Sequence, residues 1–522
     1  MGWLVIMRER AHDTVHFSPE LRSYILSLTR CFSAPSSPWK ALKNSFAAST
    51  STLMTSQTDK NDTDSLPGYS SSRISNTPAT NAVTGETFNA DFFHEQTYKL
   101  EDTKGRPWVW LKVKSRAESD KRQPLFFDQD TIEATVIVDF TIVDGARIVT
   151  LTAQGGVTAV GQEELVFFKI EKELFNVKNQ GGRKAQGCHT FTTQITLPKE
   201  AADVDNLKKK NTEKTMYPLP PSFSERASTI YIDYKLIVTI RRGTFKVNHV
   251  LSTNFQYMPI IRAAAPSTLR QVAYQEGSPI LGPEIDPDGW KVLPPITLSG
   301  TLFTTKKVTV EITLAISNPL TYASGSPIPI FITVSSSDNQ AVDLISTPSS
   351  IKLHLVRERY TGSDAVKEDS IGRSNNTFRE VVGTAFFWPS TSANTASDGT
   401  EGEKTGNGSL KRILQGELEV RRGLKPSFVF PRFALRYSIV LMPVEAAGFI
   451  PDTSTGPSTS NAAGQALVAQ RVTVTSINAP GILPRSYAPP GYEHKEEGDY
   501  NAAVGYLENG NQRFYHIGHH FG

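Results

Sequence analysis

Cysteine is nearly missing from this chain, with only Cys31 and Cys188 in 522 residues. Two thiols cannot build the disulfide framework of a small secreted scaffold, and such usage fits a reducing, cytoplasmic compartment. An excess of one charge is missing too: 55 Lys+Arg stand against 52 Asp+Glu, a formal charge of +3. That balance excludes the strongly basic character of a typical nucleic-acid binder. No apolar run approaches the ~20 residues that a membrane-spanning helix requires. No stretch carries a convincing helical period of apolar residues.

Recognisable catalytic patterns are also lacking. Gly155-Gly156 and Gly181-Gly182 are read as turns, with no Walker or dinucleotide context around them. Cys188 and His189 are neighbours in a strand-like stretch, where alternation sends them to opposite faces and prevents a nucleophile–base pair. His516, His519 and His520 sit in a flexible-looking tail without further ligands or a supporting shell. No catalytic residue, metal site or cofactor is expected.

What the chain does have is period two. Ile132, Ala134, Val136, Val138 and Phe140 alternate with mostly polar residues, as do Ile230, Ile232, Tyr234, Leu236, Val238 and Ile240. Val308 to Ile316 and Phe433 to Leu441 repeat the pattern. Side chains alternate across a strand, so each run offers an apolar face to a core and a polar face to water, as half-buried antiparallel sheets do. The expectation is an all-β protein.

Punctuation sets the expected domains. Residues 1–84 read as a disordered leader: 2–7 are apolar but too short for a signal-peptide core, and 21–58 contain no acidic residue. Residues 85–262 form one strand-rich block and 296–480 a second, each large enough for its own core. Between them, 263–295 is rich in Pro and Gly and reads as a connector outside any sheet. A polar stretch at 361–408 reads as a disordered loop, and 481–522 as a tail.

The order of local signals is similar to that of the arrestins. Leu-Phe-Phe-Asp-Gln-Asp-Thr-Ile at 125–132 resembles the acidic turn that leads into a strand of the arrestin N-domain. Leu-Pro-Pro-Ser-Phe at 219–223, followed by Ile-Tyr-Ile-Asp-Tyr-Lys-Leu-Ile-Val at 230–238, looks like the family signature of a Leu-Pro-x-Ser-Phe turn and its strand. Residues 308–314 and 325–330 resemble the opening hairpin of an arrestin C-domain. The resemblance spans about 85–480 and points to the arrestin-related trafficking adaptors (alpha-arrestins) of fungal type. It implies two consecutive arrestin-type, immunoglobulin-like β-sandwiches. It also implies a non-catalytic adaptor of endocytosis and protein transport, recruited to plasma membrane or endosomes.

The tail carries the sharpest motif, Pro489-Pro490-Gly491-Tyr492. Adjacent prolines favour polyproline II, which the aromatic groove of a WW domain reads. Pro489, Pro490 and Tyr492 are therefore the candidate WW ligand. Leu66, Pro67 and Tyr69, in Leu-Pro-Gly-Tyr, are a weaker candidate of the same class, and two ligands raise avidity for a multi-WW partner. The resemblance implies that such motifs recruit a HECT-type ubiquitin ligase to membrane transporter or receptor cargo. Lys208, Lys209, Lys210 and Lys214 are candidates for contact with anionic lipid or for ubiquitin attachment, against the simpler reading of a solvated loop. Two alternatives stand beside this one. One keeps the fold as a ligase-independent sorting scaffold, and the other is a carbohydrate-binding or structural β-sandwich.

Overall fold

The computed structural model describes residues 94–492, except 118, 144, 204–214, 226–227, 244–245, 368–376, 391–402, 405–409 and 453–465. The leader, the Leu66–Tyr69 tetrapeptide and the lysines at 208, 209, 210 and 214 lie outside these residues.

The protein is mostly β, built from curled, multi-strand sheets. The first eleven strands are β1 (His94–Glu101), β2 (Pro107–Ser115), β3 (Leu125–Phe127), β4 (Thr131–Asp139), β5 (Ala146–Ala159) and β6 (Leu165–Asn176). They continue with β7 (Cys188–Thr196), β8 (Glu200–Ala202), β9 (Met216–Pro218), β10 (Ile230–Arg242) and β11 (His249–Met258). They form a four-stranded sheet in the order β1-β2-β4-β7, a five-stranded sheet β3-β11-β10-β5-β6, and the small pair β8-β9.

Helix α1 (Thr268–Glu276) follows, then β12 (Trp290–Val292), β13 (Ile296–Leu302), β14 (Lys306–Ser317), β15 (Thr321–Ala323) and β16 (Pro327–Ser336). Helix α2 (Asn339–Ile345) precedes β17 (Leu353–Gly362), β18 (Thr377–Thr384), β19 (Phe386–Pro389), β20 (Glu403–Lys404) and β21 (Leu410–Glu419). The last strands are β22 (Phe428–Phe430), β23 (Arg432–Leu441), β24 (Phe449–Pro451) and β25 (Val468–Thr475). One sheet runs β19-β21-β16-β14-β13-β24, with β12 added on β14 and β20 on β21. Another runs β15-β25-β23-β17-β18, with β22 on β23. Among the described residues no ladder joins a strand of 94–258 to one of 290–475.

The alternating runs fold as their period requires. In β4, Ile132, Ala134, Val136 and Val138 are buried while Thr131 and Glu133 are exposed. Their apolar faces join those of β2, β5 and β10 in a continuous core that extends into the second strand set. The Leu-Pro-Pro-Ser-Phe segment is a buried strap across β10 and β11. Phe223 exchanges backbone hydrogen bonds with Ile232 at 3.0 and 2.9 Å, and the Ser222 hydroxyl accepts from the Tyr257 amide at 2.8 Å. The Tyr234 hydroxyl donates to the Pro220 carbonyl at 2.5 Å. That bond satisfies the only polar atom of a fully buried ring, whose burial pushes its ionisation well up. The acidic turn is structural as well: Asp130 takes a bidentate bond from Arg116 at 2.8 and 2.9 Å, and Asp128 accepts from the Ile260 amide at 2.6 Å.

Four expectations need correction. The connector 263–295 holds α1 and β12, because Ser267 caps the helix by accepting from the Arg270 amide and Gly277 ends it in the left-handed region. The polar stretch 361–408 contains β18 and β19, and its start, Ser363–Val366, forms a short 3-10 turn. This turn lies against β23, so β23 is buried on both faces rather than one. Arg436 is there 7 % exposed, under the Tyr360 ring at 4.8 Å, and donates to the Lys367 and Ala365 carbonyls at 3.0 and 3.2 Å. Gly155-Gly156 lies inside β5, not in a turn. A Cβ on Gly155 would stand 2.5 Å from the rings of Phe167 and Phe168, so those rings pack where a side chain would be. Residues 481–492, read as the start of a tail, pack on the body, with Ile482 and Tyr487 against a small apolar cluster.

Candidate functional site

The tail leaves β25 and returns over the connector. Ile482 and Tyr487 pack on a small apolar cluster of Tyr274, Ile280, Trp290, Ala315 and Phe331. The Tyr487 hydroxyl donates to the Ala273 carbonyl of α1 at 2.7 Å, and its amide donates to the buried Glu417 carboxylate of β21 at 2.9 Å. Partial burial raises the ionisation of the Tyr487 phenol, and the nearby Arg485 opposes this weakly.

Immediately beyond, Pro489-Pro490-Gly491-Tyr492 folds as a turn. The Tyr492 amide donates to the Pro489 carbonyl at 3.0 Å, and Gly491 has φ +93°. Proline second and a positive-φ glycine third is the arrangement a type II turn requires. Such a turn holds its second residue near −60°, +120°, close to the polyproline II values of about −75°, +145°. Pro490, as the second residue of such a turn, is thereby held near polyproline II values. Gly491 makes the departure, turning Tyr492 back until its ring lies 6.1 Å from that of Trp388 in β19. Pro490 and Gly491 are exposed; Pro489 and Tyr492 are half-buried.

Two other features stand out. A buried ion pair joins the two strand sets: Arg357 of β17 grips Glu225, which follows the Leu-Pro-Pro-Ser-Phe strap, with two bonds of 2.6 and 3.0 Å. Their side chains are 1 % and 2 % exposed, so neither charge can fall back on solvent. Arg357 also reaches Glu380 at 2.7 Å, and Arg359 lies 3.6 Å from Glu225. Phe223 on Phe433, at 4.8 Å between ring centroids, and Phe167 on Phe430, at 4.9 Å, seal the same seam with aromatic contacts. In the first strand set, a cleft of about 560 Å³ is lined by Tyr98, Arg122, Gln154, Glu164, Lys235 and Thr253, among others. Lys235 and Glu164 pair at 2.8 Å within it.

No family model matches the chain, and no curated protein matches it.

Of the residues picked out from the sequence, Pro489, Pro490 and Tyr492 lie together at this docked turn. Leu66, Pro67, Tyr69 and the lysines at 208, 209, 210 and 214 fall outside the described residues. Cys188 and His189 share β7, with Cys188 exposed and His189 packed edge-on to Phe140 at 5.3 Å. Sequence reasoning missed Trp388, Tyr487 and Glu417, which hold the tail. Tyr487 was discoverable as an aromatic residue beside the motif, whereas Trp388 sits in the stretch read as a loop.

Proposed function

We propose that this chain is a non-catalytic adaptor of the arrestin-related trafficking type. In this reading its strand sets are two consecutive arrestin-type sandwiches that engage membrane cargo, and Pro489, Pro490 and Tyr492 recruit the WW domains of a HECT-type ubiquitin ligase. Holding ligase and cargo on one molecule makes ubiquitin transfer quasi-intramolecular, so the adaptor acts through effective concentration. The cleft around Lys235 and Glu164, with charges of both signs and a peptide-sized volume, is the proposed seat for a polar cargo segment.

One observation carries the reading: the Pro-Pro-x-Tyr motif lies just past the last strand with Pro490 and Gly491 exposed and Pro489 and Tyr492 half-buried. Capture requires Gly491 to rotate and Tyr492 to leave Trp388. An aromatic pair is worth about 0.5–1.5 kcal/mol and a turn hydrogen bond a similar amount, so opening costs about 1–3 kcal/mol. Apparent affinity then falls by the fraction of chains that are open, roughly 5- to 150-fold below that of a free peptide of the same sequence. The test is capture of the full chain by isolated WW domains. Tyr492→Ala is expected to abolish it, alone or together with Tyr69→Ala; full capture of the double variant contradicts the reading. The docked turn also favours a second reading, a ligase-independent scaffold whose tail serves as a clasp; that reading expects no capture of the wild type.

A further inference from the structure

One end of the first strand set is charged out of proportion to the rest of the chain. There β1 turns into β2, β4 into β5, β6 into β7 and β10 into β11. The four connections are tied together. The Phe140 amide donates to the Gly187 carbonyl at 2.9 Å, the Gly243 amide to the Gly145 carbonyl at 3.2 Å, and Trp108 meets His249 edge-on at 5.0 Å. Register sets Leu100 beside Val109 and Val109 beside Val138, so the β1–β2 turn closes the same end. Residues 101–106, 139–147, 177–187 and 241–249 contain nine basic and four acidic residues, a net charge of +5. The whole chain carries +3, so all its other residues together sum to −2.

Local pairing leaves most of this excess in place. Asp102 holds Arg106 at 2.8 Å, and of the β6 carboxylates beside this end Glu171 holds Arg241 at 3.1 Å. Glu173 is taken by the side-chain amides of Asn176 and Asn179 at 2.9 and 3.0 Å. Arg147, Lys178 and Arg183 are exposed and in no ion pair among the described residues. Lys104 and Lys246 are exposed too. At the tip of the β10–β11 hairpin Val247 is 83 % exposed, an apolar side chain set among these cations. Basic groups that meet headgroups around an apolar tip that enters the interface are what an anionic bilayer surface takes. The cations sit on four separate connections, which suits a surface of many headgroups better than one small ligand. The seam with the second strand set lies elsewhere: β10 starts beside the strap, where Ile232 pairs with Phe223, and runs 13 residues, about 40 Å, to Arg242. We propose that this end of the first strand set docks on an anionic lipid surface. The proposal stands independently of the ligase reading, since no residue of the Pro-Pro-x-Tyr motif belongs to this end, and vesicle binding and WW capture can fail separately.

Vesicles are the probe. The full chain is sedimented with phosphatidylcholine vesicles that contain or lack phosphatidylserine, and is expected to bind only the anionic ones, less as salt is raised. A basic residue beside an anionic leaflet is worth about fivefold in partitioning, so replacing Arg147, Lys178, Arg183 and Lys246 together by Gln should weaken binding by ~100-fold or more. All four are exposed, so the variant keeps the fold, which circular dichroism checks. The control of equal charge change, Gln at Lys208, Lys209, Lys210 and Lys214, should keep binding. No binding of the wild type to anionic vesicles overturns the proposal without recourse to any variant. Equal binding to both kinds of vesicle overturns it too, as does equal weakening by the two quadruple variants, which would reflect total charge and not this end. If the vesicles fail and a polyglutamate peptide binds instead, the lipid assignment falls and the end is a protein-docking surface.

Discussion

At Glu225 and Arg357 two distant stretches of chain meet through full charges that solvent barely reaches, while at Trp388 and Tyr492 two others meet through a half-buried ring whose own turn is closed by one local hydrogen bond to Pro489. The two seams differ in what opening them costs. Separating Arg357 from Glu225 takes the bidentate pairing from two buried charges, leaving Arg357 to Glu380 and Glu225 to the longer contact with Arg359, a large penalty. Lifting Tyr492 exposes one ring and rotates one glycine. The first seam is the costly one to open and the second the cheap one.

The largest effect should come from breaking the charged seam. Arg357→Met strands Glu225 in the interior with only the 3.6 Å contact to Arg359, and loss of about 3 kcal/mol in stability is expected. Urea unfolding checks it, and the double variant with Glu225→Gln should recover most of the loss. A double variant as unstable as the single one would show that packing, not charge, holds this seam.

The aromatic seam answers to a smaller change. A Cβ on Gly491 meets nothing within 4 Å, so Gly491→Ala strains only the positive φ, at about 1 kcal/mol. The motif survives, because Gly491 occupies its variable position. The turn loosens, and WW affinity of the full chain should rise about fivefold. Trp388→Ala should act in the same direction, read by the same titration.

The smallest effect lies in pH. Burial lowers the ionisation of His249, whose ring meets Trp108 edge-on at 5.0 Å, below the ordinary 6.5, and Arg242 adds to the shift. His354 is lowered likewise by burial, helped by Lys352. The unfolded chain then binds more protons than the folded one just below pH 6.5, so stability is full above that pH and declines as pH falls through the folded values. His249→Phe should flatten part of this slope in thermal unfolding scans between about pH 7 and 5.

How much of this was legible in the sequence follows from the range of each interaction. Strands β4, β10, β14 and β23 announced themselves because alternation is local and repeats over nine or more residues. Helix α1 did carry signals, Ser267 at its start and Gly277 at its end. Its buried residues, Arg270, Ala273 and Tyr274, give no apolar stripe, and the prolines around it spoke louder. Glu225 and Arg357 lie 132 positions apart, so no local pattern marks them. The Pro-Pro-x-Tyr residues were legible as a motif, but their docking was not, since Trp388 and Glu417 lie 70 or more positions earlier in the chain and only the fold brings them to the tail.

In the proposed function, Pro489 to Tyr492 are a ligase contact held in a docked, reversible turn. Calorimetric titration of one isolated WW domain into the full-length wild type, Gly491→Ala and Tyr492→Ala, each beside its free peptide, tests it directly. The account predicts that the wild-type chain binds more weakly than its peptide, that Gly491→Ala narrows the gap, and that Tyr492→Ala does not bind. Equal affinities for the wild-type and Tyr492→Ala chains would contradict it.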